Sequence, residues 1–153
     1  MDIEKVKEKV QQITQRLGKK DILAVGLVGS LARGDFNDRS DIDIFIITEK
    51  ELTIREQDDL YCVFSQLIPE FGRDITVLVY DINSLRKVPC WQTLNLIKDA
   101  NLIYDVGEIE HTFHIILKEA EEHGIIYDAE EKVFKLERTG RIVFSSSLAG
   151  TEG

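Results

Sequence analysis

The sequence predicts an α+β protein: a small mixed sheet with helices packed on it, extended at its C-terminal end by a helix and a β-hairpin. Three observations carry that expectation. Apolar residues recur at helical spacing near the start of the chain. Short apolar runs with strand character follow at residues 23–28, 42–47 and 74–80. Helical patterns and loops separate these runs, the alternation expected of a sheet covered by helices.

Each element has its own reason. Ile3, Val6, Val10, Ile13 and Leu17 share one helical face, giving a first helix that ends at Gly18. The run 23–28 reads as a buried strand that stops at Gly29, where the missing Cβ allows a sharp turn close to a ligand. Ser30 then opens a short helical turn through Gly34, with N–H groups free at its start. Side chains alternate along the second strand, so Asp41 and Asp43 face one way while Ile42 and Ile44 face the core. Leu60, Val63, Phe64, Leu67, Ile68 and Phe71 mark a second helix before Gly72. Asp74 opens a β-branched strand running to Tyr80. The order helix, strand, loop, strand, helix, strand fits a small mixed sheet with helices on one side.

Beyond Tyr80 the pattern is coarser. Residues 81–100 suit short helices around Pro89, with Trp91 as a packing anchor. A strand is expected at 101–105, a helix at 108–123, a hairpin from 124–127 and 132–136, and a last strand at 142–144. The ending 145–150 is expected to fray. This places the core in residues 1–105 and an extension packed on it in 106–153, suited to a dimer contact, a partner surface or an acceptor lid.

The chemistry is concentrated in the first half. Asp41 and Asp43 close together repel one another, and burying them unpaired would be costly. A divalent cation resolves the conflict, because carboxylates are the hard oxygen donors that Mg2+ takes. The Gly29-Ser30 turn supplies N–H groups and a hydroxyl for phosphate oxygens. A solvated acidic loop of Asp35, Asp38, Asp41 and Asp43 is the plainer alternative. The turn and the strands around the carboxylates favour a metal-held nucleoside triphosphate.

Gly29-Ser30, ten intervening residues and Asp41-x-Asp43 resemble the signature of the DNA polymerase β-like nucleotidyltransferase superfamily. The short chain and Ala32-Arg33-Gly34 are most similar to its minimal members from bacteria and archaea, often paired as antitoxin with a HEPN-domain toxin. The resemblance covers residues 21–80. It implies a catalytic core of helices on a small mixed sheet, two Mg2+ ions about 4 Å apart and ATP as substrate. It also implies a third carboxylate on a later strand, assigned to Asp74 as a metal ligand that helps deprotonate the acceptor, with Asp81 as the rival. Gly29, Ser30 and Arg33 would hold the triphosphate, although Arg33 could instead pair at the surface with Asp35 or Asp38. Arg39 reads as charge balance.

Composition narrows the partners. A chain of 153 residues, 43% hydrophobic, can bury one sizeable core. Cys62 and Cys90 make neither a metal pattern nor a disulfide framework. With no signal peptide and no apolar run long enough for a bilayer, a cytoplasmic enzyme that binds no membrane is expected. A net charge of -9, with only Arg16, Lys19 and Lys20 grouped, argues against a nucleic-acid acceptor. His111, His114 and His123 read as structural or exposed. Three readings follow: AMP transfer from ATP to a hydroxyl on a partner protein such as a HEPN toxin, transfer to a small molecule as in aminoglycoside-modifying enzymes, or a contact-only antitoxin module. A homodimer is compatible with each.

Overall fold

The computed structural model describes residues 1–86, 91–131, 133–136 and 142–143. The expectations at Pro89, Phe144 and the frayed ending 145–150, and the packing role of the Trp91 side chain, lie outside the described residues.

Helix α1 (Ile3–Leu17) starts where the Asp2 carboxylate accepts a bond from Glu4 N at 2.9 Å, and it ends at Gly18. Strand β1 (Ile22–Val28) leads through the short helix α2 (Gly29–Arg33) to strand β2 (Ile42–Thr48), which returns antiparallel with Val28 opposite Asp43. Helices α3 (Ile54–Phe64) and α4 (Leu67–Phe71) carry the chain back for strand β3 (Ile75–Asp81), which runs parallel to β2. After α5 (Ile82–Arg86) and α6 (Trp91–Asp99), strand β4 (Asn101–Asp105) joins the other edge, giving the order β3-β2-β1-β4. Helix α7 (Ile109–Glu122) then leads to a separate sheet of β5 (Ile125–Asp128), β6 (Val133–Leu136) and β7 (Ile142–Val143).

Helices cover both faces of the first sheet, not one as the pattern to Tyr80 implies. Ile42, Ile44 and Ile46 join Val6, Val10, Leu60 and Phe64 in one core. Phe45 and Ile47 point the other way and join Leu94, Ile97, Phe113, Ile125 and Phe134. The Phe45 and Phe113 rings lie 6.1 Å apart. The cause is in the strands: β1 and β2 are buried on both faces, and such strands need a layer on each side. Asp43 lies on the second face, where α6 approaches the sheet.

The single helix expected before Gly72 is two. Thr53 and Glu56 form a reciprocal capping box that starts α3 well before the first apolar residue used to place it. The break after Phe64 follows from Pro69, which has no N–H to give the Ser65 carbonyl and would clash with it in a continuous helix. Ser65 O instead accepts from Ile68 N at 3.0 Å, and Pro69 sits in the first turn of α4, where a missing donor costs little.

Candidate active site

The site forms where β1 ends and β2 begins. Their register sets Val28 opposite Asp43, so the turn at Gly29 passes directly beside that carboxylate. Gly29 has φ +74°, and a β-carbon on it would run into Asp43 Oδ2. Only glycine meets both demands at once. Leu31, fully buried, anchors the short helix, and Ser30 O accepts from Gly34 N at 3.0 Å and Asp35 N at 3.1 Å to close it.

The loop from Gly34 to Asp41 is held from outside. Arg73 Nη1 donates to the carbonyls of Asn37 and Ser40, the latter at 3.1 Å. Asn37 Oδ1 accepts from Arg39 N at 2.8 Å, and Ser40 Oγ accepts from Asn37 N at 2.9 Å. These bonds present Asp41 at the surface, just before the buried Ile42.

Asp43 is half-buried, and burial is the main force pushing its pKa above the ordinary carboxylate value. A hydrogen bond from the Thr76 hydroxyl pulls it down, the like charge of Asp41 pushes it up again, and Arg33 pulls it down. The net direction is up. A cation beside Asp41 and Asp43 would offset both the burial and the like-charge repulsion, so the pair fits one divalent ion.

Arg33 ends α2 and makes two ion pairs, Nη1 to Asp99 Oδ2 at 3.0 Å and Nε to Asp35 Oδ2 at 3.2 Å. Burial opposes its charge, but the Asp99 and Asp35 carboxylates outweigh that and hold its pKa above the usual guanidinium value. The alternative surface pairing, with Asp35, is therefore present, joined by a partner from α6. Asp99 lies between two openings. One, of about 340 Å3, is lined by Gly29, Asp43, Thr76, Tyr80 and Asn95. The other, of about 620 Å3, lies between α2, β4 and α7 and is lined by Arg33, Lys98, Asn101, Glu110 and His114.

The remaining acids are not paired with Asp43 across the ladder. Asp74 is exposed, immediately before β3, and its carbonyl accepts from Ile42 N at 2.9 Å. The β3 residue facing Asp43 is Thr76. Among the described residues, no three carboxylate, histidine or cysteine side chains gather as a metal-holding group. Asp81 closes β3, and its Oδ2 accepts from Ser84 N at 3.1 Å, which commits it to capping α5. His111 and His114 are exposed on α7, and His123 Nδ1 lies 2.7 Å from Glu119 O. Cys62 is a free, exposed thiol, while Cys90 lies outside the described residues. No helix among the described residues is long and apolar enough to cross a membrane.

The model of the polymerase beta nucleotidyltransferase family matches residues 8–109. The chain belongs to that family. No curated protein matches it in sequence. Its fold is similar to a chain of a toxin–antitoxin structure solved with AMP-PNP, with TM-score 0.57, 16% identity, and cover of 76% of this chain and 87% of that one. A second similar structure is the tri-AMPylated Shewanella oneidensis HEPN toxin in complex with MNT antitoxin, with TM-score 0.54, 14% identity, and cover of 80% and 88%. A third is the MntA-HepT toxin–antitoxin, with TM-score 0.51, 14% identity, and cover of 76% and 85%. What these share with the present nucleotidyltransferase-family chain is the mixed α+β fold.

Two residues of the site have no counterpart among those picked out from the sequence. Thr76 lies on the Asp43 face of β3, and a strand period counted from Asp74 reaches it, but only the register shows which of the two meets Asp43. Asp99 is 66 residues from Arg33, and no local pattern links them.

Proposed function

We propose that the chain transfers a nucleoside monophosphate, AMP from ATP, to a hydroxyl on a partner protein of the HEPN toxin class, with Mg2+. The observation that carries this reading is the fit of Gly29 against Asp43: a side-chain-free turn at positive φ brings backbone suited to phosphate to a carboxylate that burial and Asp41 make uncomfortable. A protein that needed only a fold would gain from neither. The family supports the reaction class, and the AMP-PNP and tri-AMPylated neighbours support the nucleotide and the acceptor.

Asp41 and Asp43 would hold the divalent cation, which when bound neutralises phosphate charge and eases departure of pyrophosphate. The Ser30 hydroxyl and the N–H groups of the turn would orient the triphosphate beside them. Arg33 would exchange one of its carboxylate partners for a phosphate oxygen, a planar charge-assisted contact that suits its fork of donors. The α6 wall, with Asn95 and Leu96, would close the cleft behind the nucleotide. The acidic surface favours a protein acceptor over nucleic acid.

The test is transfer from α-labelled ATP with Mg2+ into a host lysate resolved into protein, RNA and small molecules, with the Asp41→Asn/Asp43→Asn protein as control. Label on one protein band, absent in the control, is the expected result. Carboxylate-dependent label in small molecules or RNA would overturn the acceptor. No carboxylate-dependent label with any of the four nucleotides would overturn the enzyme in favour of neutralisation by contact.

A further inference from the structure

The cleft's capacity for cations depends on which β3 residue faces the β2 carboxylates. Side chains paired across a parallel ladder on one face are neighbours, and the residue paired with Asp43 is Thr76. Its hydroxyl is near enough to the Asp43 carboxylate to favour the charged form. Asp74 stands two residues earlier, about 6–7 Å along the strand direction, exposed and tied to β2 through its backbone. No group of three metal-binding side chains forms among the described residues.

We infer that a neutral hydroxyl, Thr76, fills the third position of this cleft, so the protein alone offers a cation two carboxylates and a second cation no carboxylate of its own. The inference rests on the nucleotidyl-transfer reading of the site and departs from the two-ion arrangement that the family resemblance implies. Before nucleotide binds, two Mg2+ ions would bring four positive charges against two negative charges from Asp41 and Asp43. Mg2+ is content with one or two carboxylates when substrate phosphates complete its shell. The cation therefore enters with the nucleotide, and the cleft holds it poorly beforehand.

The experiment is Mn2+ binding to the full chain without nucleotide, followed by the electron paramagnetic resonance signal of free Mn2+. Thr76→Asp is expected to bind Mn2+ at least about tenfold more tightly than the natural chain, since affinity follows ligand charge count. Adding Asp43→Asn to that variant is expected to remove the gain. Asp74→Asn, a change at an exposed position, is expected to leave Mn2+ binding within about twofold. A folded Thr76→Asp with no tightening would overturn the inference. So would a tenfold loss in Asp74→Asn, which would make Asp74 the third ligand; this arm decides the matter if Thr76→Asp does not fold. Failure of labelled transfer would sink the enzymatic reading alone, because these readouts use neither nucleotide nor acceptor.

Discussion

Asp43 and Asp81 belong to adjacent strands of one sheet, and each takes a hydrogen bond from a hydroxyl residue, yet folding treats them in opposite ways. The hydrogen bond to the Ser84 side chain, with backbone N–H groups of the α5 turn, holds the Asp81 pKa below the ordinary value. Burial, reinforced by Asp41, holds that of Asp43 above it despite the Thr76 bond. The signs follow from linkage. Asp81, with its folded pKa depressed, adds stability above the unfolded value and loses it as pH falls through the folded one. Asp43, with its folded pKa raised, favours folding below the unfolded value and loses that contribution as pH rises through the folded one. At neutral pH the fold gains from one carboxylate and is strained by the other. A charge that folding disfavours, seated against a glycine that nothing else could replace, is what the proposed cation site would account for.

Asp43→Asn breaks that comparison most sharply. The amide still accepts from Thr76 but carries no charge, so apo-protein stability at pH 7 should rise, by about 1–3 °C in melting temperature. Nucleotidyl transfer should fall by at least about a thousandfold, the loss of several kcal/mol of charge stabilisation. Thermal melting beside the labelled-ATP assay checks both, and a lower melting temperature would show that Asp43 is structurally comfortable after all. Gly29→Ala tests the other half of the fit. A β-carbon at φ +74° pressed on Asp43 Oδ2 should cost about 2–3 kcal/mol, read as a lower urea midpoint at unchanged slope. Pairing it with Asp43→Ala should recover part of that loss, because the obstructing carboxylate is gone.

Asp81→Ala supplies the control from the opposite side. Loss of the α5 cap should cost about 0.5–1 kcal/mol at pH 7 and leave transfer unchanged. Urea midpoints measured downward through the carboxylate range should converge with those of the natural chain, since protonated Asp81 no longer rewards folding. A deficit that persisted at low pH would mean that the side chain matters for packing and not as an anion.

The parts of this arrangement that the sequence discloses are those set by neighbours along the chain. The apolar period of α1, the run of β1, the turn at Gly29 and the alternation of Asp43 with Ile42 and Ile44 are all local, and the structure has each of them. Pro69 and the Thr53–Glu56 box were equally local signals for the α3–α4 boundaries, but apolar spacing alone runs across them. The remainder is non-local. Whether Asp74 or Thr76 meets Asp43 depends on a parallel register set through an intervening pair of helices, where a slip of two residues keeps every side chain on its face. The second helical layer is similarly hidden, because its residues lie beyond Tyr80 and meet β2 only in the fold.

The Arg33–Asp99 pair is another of these non-local contacts, and it yields the smallest expected effect. Asp99 contributes a partly exposed carboxylate to both openings, and any triphosphate in the Gly29–Asp43 cleft must compete with it for the guanidinium. Exposed ion pairs are worth about 0.2–1 kcal/mol, so releasing Arg33 should tighten ATP binding by no more than about fivefold. Asp99→Asn is the variant, and titration calorimetry with a non-hydrolysable ATP analogue and Mg2+ is the measurement. The gain should shrink as salt rises, since the natural ion pair weakens with screening. Weaker binding in Asp99→Asn would reverse the assignment: Asp99 would then be holding Arg33 in place for the phosphate, and the rigidity of α2 would depend on α6.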